Sequence, residues 1–202
     1  MKTRQLNSGL KILPGIIRTL TGITFVLLLI VGFTSCLTVE SKEYTYELTD
    51  NNAGKLTIKY INIYSVMDDG NDVSAEDFKE LVSKYLQGDQ IREEFPAATN
   101  IKTRLFEENG VLCGEVTLDF NDLNAARLYR FDEKSPIMMN ISTAFDSESY
   151  TGSNGVYGNE HMPVVFWPSD NKTLKVTTSI SKPDESGISL INEYRNWVNT
   201  GQ

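Results

Sequence analysis

Cysteine and histidine are the scarcest reactive side chains in this sequence. Its 202 residues include two cysteines, Cys36 and Cys113, and one histidine, His161. Disulfide-rich scaffolds and zinc centres both need several cysteines or histidines at regular spacings. The sequence therefore excludes a disulfide framework and a Cys/His metal site, and His161 has no second histidine beside which to act.

Acidic residues are absent from the first 35 positions, and apolar runs are short. This segment carries four basic residues, and its apolar stretch from Leu20 to Phe33 has fourteen residues. As a helix the stretch would rise about 21 Å, less than the roughly 30 Å hydrocarbon core that a permanent span must cross. A basic leader before a short apolar core is typical of a secretory signal, so we expect residues 1–35 to be a cleaved signal helix. The alternatives are an ordinary signal without lipidation and an uncleaved anchor.

The end of the apolar stretch carries the most specific motif. Two small residues, Thr34 and Ser35, stand directly before Cys36 and follow Phe33. This arrangement resembles the lipobox of bacterial lipoprotein precursors, although that family normally has an aliphatic residue where Phe33 stands. The resemblance covers about the first fifth of the chain. It implies that the Cys36 thiol receives a diacylglycerol, that cleavage makes Cys36 the first residue, and that its amino group is then acylated with a fatty acid such as palmitate.

Basic residues are a minority in the rest of the chain. Without residues 1–35, 15 basic residues face 27 acidic ones, a net charge near −12. Such a surface repels phosphate backbones and anionic headgroups, which argues against nucleic acid as a partner and leaves the lipid as the route to the membrane. Leu37 stands where lipoproteins kept in the inner membrane often carry Asp, so the resemblance implies a cell-envelope protein of the outer membrane.

The chain after Cys36 has the length of one domain. About 160 residues suffice for a single hydrophobic core and are too few for two comfortable ones. We expect a signal at 1–35, a lipidated tether at 36–42 that keeps the domain close to the membrane, and one domain at 43–202.

Apolar periodicity predicts the elements of this domain. Alternation predicts strands, and spacings of three and four predict helices. Strands are predicted at 43–48, 56–66, 101–107, 111–120, 137–142, 163–167 and 174–180, helices at 74–88 and 190–198, and a short helical turn at 121–128. This order predicts an α+β fold with an antiparallel sheet and helices mainly on one face.

Some local signals are sharper. Asn109 and Gly110 predict a tight hairpin turn. The apolar phase of the second strand changes near Tyr60, which predicts a bulge or burial on both faces. Ser74 followed by Asp77 forms a variant capping box before the first helix.

The terminal helix also presents an apolar stripe that we expect to be buried against the sheet. Its residues are Leu190, Tyr194, Trp197 and Val198.

Aromatic residues interleaved with glycine and asparagine at 145–168 form the candidate ligand site. Aromatic faces beside small polar groups suit a sugar or a peptide. A buried strand followed by a long hairpin loop would have the same composition, and the apolar run at 164–167 is typical of a core. The candidate ligand-binding residues are Tyr150, Tyr157, His161 and Trp167.

Two further groups invite a chemical interpretation. Asp68, Asp69 and Asp72 surround Gly70, but the spacing fails the calcium-loop pattern and fits a polar loop before a helix. Alternation places Cys113 on the polar side of its strand, as a semi-buried small residue or, alternatively, a reactive thiol.

No phosphate loop, nucleophile elbow, zinc helix motif or pair of catalytic carboxylates can be assigned by spacing. We therefore expect no catalytic residues, metal or cofactor, and a membrane-anchored, non-catalytic domain for binding or assembly with a protein or carbohydrate partner. Its layout resembles the small lipoproteins of diderm bacteria. The alternative function is a lipoprotein hydrolase acting on envelope sugar or peptide.

Overall fold

Strands dominate the computed structural model, which describes residues 36–50, 52–141 and 148–201. The predicted signal at 1–35 lies outside these residues. The strands are β1 (Leu37–Leu48), β2 (Gly54–Val66), β3 (Thr99–Glu108), β4 (Val111–Phe120), β5 (Leu128–Tyr129), β6 (Ile137–Asn140), β7 (Ser149–Ser153), β8 (Val156–Asn159), β9 (Met162–Trp167), β10 (Thr173–Ser179) and β11 (Gly187–Ser189). The helices are α1 (Ser74–Glu80), a π-helical segment (Leu81–Leu86), α2 (Gln90–Glu94), a 3-10 turn (Leu123–Ala126) and α3 (Ile191–Thr200).

The balance of these elements makes the fold mainly β. The expectation of α+β was wrong in its proportions, because the helical pattern at 74–88 produces only a short α-helix that continues as a π-helical segment. The antiparallel sheet is confirmed.

Two antiparallel sheets organise the described residues. The larger has seven strands in the order β3-β4-β2-β1-β10-β7, with β11 paired to the far end of β2. The smaller has four strands in the order β5-β6-β9-β8. The predicted turn joins β3 to β4 with Asn109 at φ 52° and Gly110 at φ 81°, which confirms the tight hairpin.

The first strand begins directly after Cys36. Leu37 pairs with Ser65, Thr38 pairs with Tyr64, and the Val66 amide donates to the Cys36 carbonyl at 2.9 Å. The predicted tether at 36–42 is therefore wrong, since the long second strand gives these residues a backbone partner that their own sequence does not reveal. The folded domain starts at Cys36.

The change of apolar phase in β2 occurs at Asn62. Its φ is 55°, and the pairing with β1 keeps one register on either side, with Ser41 opposite Ile61 and Val39 opposite Ile63. No residue is inserted, so the structure has no bulge at this position. The side chains change faces at Asn62, and Ile63, Tyr64 and Ser65 are all buried, which confirms burial of this half of the strand on both faces. Asparagine tolerates this left-handed conformation better than most residues.

The first helix is tied to the sheet by a buried polar contact. The Ser65 hydroxyl donates to Asp77 Oδ2 at 2.6 Å, while the Ser74 amide donates to Asp72 Oδ1 at 2.9 Å. The predicted capping box is therefore wrong, because Asp77 points at β2 instead of the first turn, and no side chain caps the helix, whose N-cap residue is Val73.

Two hydrophobic clusters cover one face of the seven-stranded sheet. The first cluster, which contains Tyr46, Leu118, Trp167 and Leu174, lies under the four-stranded sheet. The second cluster lies under the helices that flank the other end of the sheet. Its buried residues are Ile63, Phe78, Leu81, Leu112, Leu190 and Ile191.

The terminal helix matches its predicted stripe only in part. Leu190 is fully buried, and Tyr194 and Trp197 are half-buried in the second cluster. Val198 is 51% exposed, so its predicted burial was wrong. Leu190, Tyr194 and Trp197 therefore face the second cluster, while Val198 faces solvent.

Candidate functional site

A cleft of about 680 Å³ lies where the two clusters meet, between the seven-stranded sheet and the helical segments. This volume is in the range of small-molecule sites. Residues of β2, β3 and β4 form its floor: Ile58, Tyr60, Ile63, Leu105, Gly114 and Val116. Residues of the helical segments form its wall: Leu81, Tyr85, Leu86, Ile91 and Phe95.

A glycine in the floor helps to keep the cleft open. A Cβ added at Gly114 would lie 3.1 Å from Ile63 Cδ1 and 3.5 Å from Leu105 Cδ2. The reversal at Asn62 brings Ile63 onto the same side as Tyr60, so both line the floor. Any larger residue at Gly114 would occupy space that a ligand could use.

Charged residues of both signs lie at the rim. Glu93 and Glu94 are on α2, and Arg127 follows the 3-10 turn. The Arg127 guanidinium lies 4.6 Å from the centroid of the Phe95 ring, which forms part of the wall. Within the described part of the chain, it forms no ion pair with a carboxylate.

Arg127 also has an unusual backbone. Its φ is 60°, whereas the other positive-φ residues that are not glycine, among those described, are asparagine or aspartate. Those two residue types tolerate this conformation, and arginine does so less readily. The backbone at Arg127 therefore does not favour the side chain that is found there.

A buried carboxylate network adjoins the cleft. The Glu148 side chain is 5% exposed and accepts hydrogen bonds from Lys42 Nζ at 2.8 Å, Tyr44 Oη at 2.9 Å and Thr178 Oγ1 at 2.7 Å. Burial, followed by the Glu148 charge, raises the pKa of Tyr44 far above its usual range. Tyr44 therefore stays protonated and donates to the carboxylate, which is stabilised by three donors.

The predicted ligand-binding aromatics do not form one exposed platform. Trp167 is fully buried, and its Nε1 donates to Asn154 Oδ1 at 2.8 Å. Gly155 lies against this ring, since a Cβ there would be 2.6 Å from Trp167 Nε1. The Trp167 assignment was wrong because β9 turns this residue into the first cluster.

The other predicted ligand-binding residues, Tyr150, Tyr157 and His161, do not line an open site either. Tyr150 and Tyr157 stack at 3.9 Å between ring centroids and pack, half-buried, on the first cluster. His161 lies exposed in the turn between β8 and β9, where its amide donates to Asn159 Oδ1. The stacked pair and His161 are therefore not brought together around a ligand.

The acidic loop and Cys113 have structural surroundings. Asp68 and Asn71 form an isolated bridge, and hydrogen bonds from Ser74 lower the pKa of Asp72. In the described residues, no group of three metal-binding side chains comes together. Cys113 is fully buried, and burial raises its pKa, so its thiol stays protonated.

An exposed apolar row crosses the outer face of the four-stranded sheet. The register places Tyr129 beside Met138, Met138 beside Phe166, and Phe166 beside Val156. Tyr129 is 50% and Val156 69% exposed. We did not predict this row, because its members come from four separate strands.

The cleft residues were also missed. Alternation from Tyr44 and Tyr46 back to Lys42 could have placed Lys42 on the covered face, but residues 37–42 were assigned to a tether. No sequence signal marks Arg127.

None of the helices described between Cys36 and Gly201 is long and apolar enough to cross a bilayer. No protein-family description, curated protein or solved structure matches the chain.

Proposed function

We propose that this protein is a lipoprotein of the cell envelope whose domain binds a small ligand without catalysis. In this proposal the signal helix at 1–35 is removed and the acylated Cys36 anchors the chain, with the outer membrane as the expected location. The motif around Cys36 supports the anchor. The start of β1 at Leu37 adds that an anchored domain would lie directly at the membrane surface.

The cleft is the observation that carries the binding role. It has an apolar floor, charged groups at its rim and a volume of about 680 Å³. Ligand sites in proteins combine a mostly apolar lining with a few polar groups in this way. The cleft therefore replaces the aromatic segment as the ligand site that we propose.

The chemistry of the buried groups supports a non-catalytic role. A general base or nucleophile must be able to exchange a proton near neutral pH. Glu148 is occupied by three donors, and burial raises the pKa of both Tyr44 and Cys113. In this proposal, Glu148, Tyr44 and Cys113 stabilise the fold and take no part in a reaction.

One feature favours the alternative of an envelope hydrolase. Glu93 and Glu94 are exposed carboxylates that line the mouth of the cleft. If the protein hydrolyses envelope sugar or peptide, replacing both residues with glutamine should abolish release of product from cell-wall fragments. Absence of product release by wild type would remove this alternative.

Acylation of Cys36 can be tested by metabolic labelling with a clickable palmitate analogue. The full chain, Cys36→Ser and Cys113→Ser should be compared in a diderm host. We expect label on wild type and Cys113→Ser and none on Cys36→Ser, because the Cys36 thiol is the attachment point in the lipobox family and Cys113 is buried. Equal label on all three would overturn the anchor assignment.

A further inference from the structure

The cleft extends along the sheet from the predicted anchor toward Arg127. Leu37 and Tyr44 both line it and stand seven residues apart on β1, a separation of about 23 Å in an extended strand. One acyl chain spans half of the roughly 30 Å hydrocarbon core, or about 15 Å. The cleft therefore has the length for one extended chain.

The lining changes character along this direction. Leu37, Val39 and Leu81 are apolar and lie toward Cys36, which precedes Leu37. Arg127 stands at the Phe95 side, with its guanidinium stacked on that ring. An apolar trough with a cation at one part of its rim complements a molecule with a long tail and an anionic head.

The rim cations differ in their availability. Lys42 forms an ion pair with Glu148 inside the domain, and Arg104 forms one with Glu115. Arg127 forms no ion pair in the ranges that the structure describes, and its left-handed backbone is one that arginine seldom adopts. Because arginine presents a planar fork that matches a carboxylate, Arg127 is the group suited to an anionic head.

From these observations we infer that the cleft binds a long-chain fatty carboxylate, with its chain along the floor toward Leu37 and its carboxylate on Arg127. This inference rests on the proposed ligand-binding role of the cleft and names its ligand. Glu93 and Glu94 lie at the same rim and would favour a cationic head group. The experiment therefore compares ligands with anionic, neutral and cationic head groups.

Photolabelling of the full chain in its own membranes tests the inference. Photoreactive palmitate would be added to isolated membranes, where new acylation of Cys36 has stopped. We expect light-dependent label on peptides of β3 and β4, because these strands form the floor. Gly114→Val should reduce the label by filling the floor, and Arg127→Asn should reduce it roughly tenfold by removing a charge-assisted contact.

The matched control for Arg127→Asn is Arg92→Asn. Arg92 is an exposed arginine of α2 that lies near Asp89 and does not line the cleft. We expect Arg92→Asn to label like wild type. Asparagine tolerates the backbone at Arg127, so the melting temperature of Arg127→Asn should not fall. A loss of label together with unchanged melting separates ligand contact from a structural role.

Head-group analogues complete the test. Photoreactive palmityl alcohol should label less than palmitate, and a cationic hexadecylammonium analogue should label least. Equal labelling by all three, stronger labelling by the cation, or full labelling of Arg127→Asn would overturn the inference.

The anchor proposal has a separate readout. Metabolic palmitate labelling of Cys36 in cells reports the anchor, and light-dependent label in the floor, obtained in isolated membranes, reports the ligand. An acylated chain with an unlabelled floor would refute the inference and leave the anchor intact, whereas floor label on a chain that is never acylated would refute the anchor alone.

Discussion

The two ends of the covered sheet face are built differently. Under the four-stranded sheet, Leu118, Trp167 and Leu174 have no exposed surface. Under the helices, Tyr194 and Trp197 remain half-exposed, and α3 is attached partly by polar contacts such as Tyr194 Oη to the Leu105 carbonyl at 3.2 Å. Sheet-on-sheet packing therefore forms the stable part of the domain, while short helices form a looser cover.

This difference explains where the cleft lies. Local stability within a protein depends on how much apolar surface a region buries, and binding sites favour the less stable regions. The cleft lies at the junction of the two clusters, with a floor supplied by the sheet and a wall supplied by the helical segments. A rigid floor and an adjustable wall suit a binding site.

The largest effect should come from the closely packed end. We expect Trp167→Ala to lower the free energy of unfolding by about 3–5 kcal/mol, because it removes a fully buried ring and leaves Asn154 without its indole donor. Urea unfolding would measure this loss. A loss below that of Trp197→Ala would contradict the comparison between the two ends.

The buried carboxylate should rank next. We expect Glu148→Gln to cost about 1–3 kcal/mol, because the amide keeps one acceptor oxygen but loses the charge that Lys42, Tyr44 and Thr178 share. Glu185→Gln, at an exposed glutamate, is the matched control in the same unfolding experiment. An equal midpoint for Glu148→Gln and this control would show that the network adds no stability.

The helical end should be more tolerant. Trp197 is half-buried and contacts Phe78 and Tyr194 edge-on or tilted, each at 6.3 Å between centroids. We expect Trp197→Ala to cost about 1–2 kcal/mol, less than the 3–5 kcal/mol typical of a fully buried aromatic. Urea unfolding of both tryptophan variants would place the two ends on one scale.

We expect the smallest effect on stability from an exposed ion pair, and this effect should depend on pH. The Arg195 guanidinium donates to Glu107 at 2.5 and 2.9 Å, which lowers the pKa of Glu107 below its usual value and raises that of Arg195. A lowered folded-state pKa stabilises the protein above the unfolded value near 4.3, and this contribution is lost as the pH falls through the folded value.

Arg195→Gln should therefore destabilise the domain slightly at pH 7 and have no effect near pH 2. The pair is exposed, so salt should weaken it too. Unfolding midpoints of wild type and variant at both pH values provide the measurement, and a difference that persists at the lower pH would exclude the ion pair as its cause.

Patterns within one element were predicted well. The bounds of β4 and the turn at Asn109 and Gly110 were confirmed, since alternation and turn chemistry depend on adjacent residues. The short strands β7, β8 and β11 were not predicted, because glycine, asparagine and serine interrupt their alternation. They become strands through the partners beside them.

Patterns that depend on a distant partner were predicted poorly. Residues 37–42 became a strand because β2 extends to Val66, and Trp167 entered the core because the four-stranded sheet folds over the larger one. The spacing of Ser74 and Asp77 predicts a cap at the start of the helix, but Asp77 instead accepts a hydrogen bond from the Ser65 hydroxyl on β2. In each case a contact remote in sequence outweighed the local preference.

The sequence by itself determined the antiparallel strands of the domain, the hairpin turn, the two amphipathic helical stretches and the resemblance around Cys36, because each is encoded within a few neighbouring residues. Only the tertiary structure decided which apolar faces meet, where they leave a cleft, and that Lys42 and Arg127 reach it. Those outcomes depend on packing between residues more than ninety positions apart, as in the contact between Tyr46 Oη and Met139 Sδ at 3.6 Å, and no local pattern carries that information.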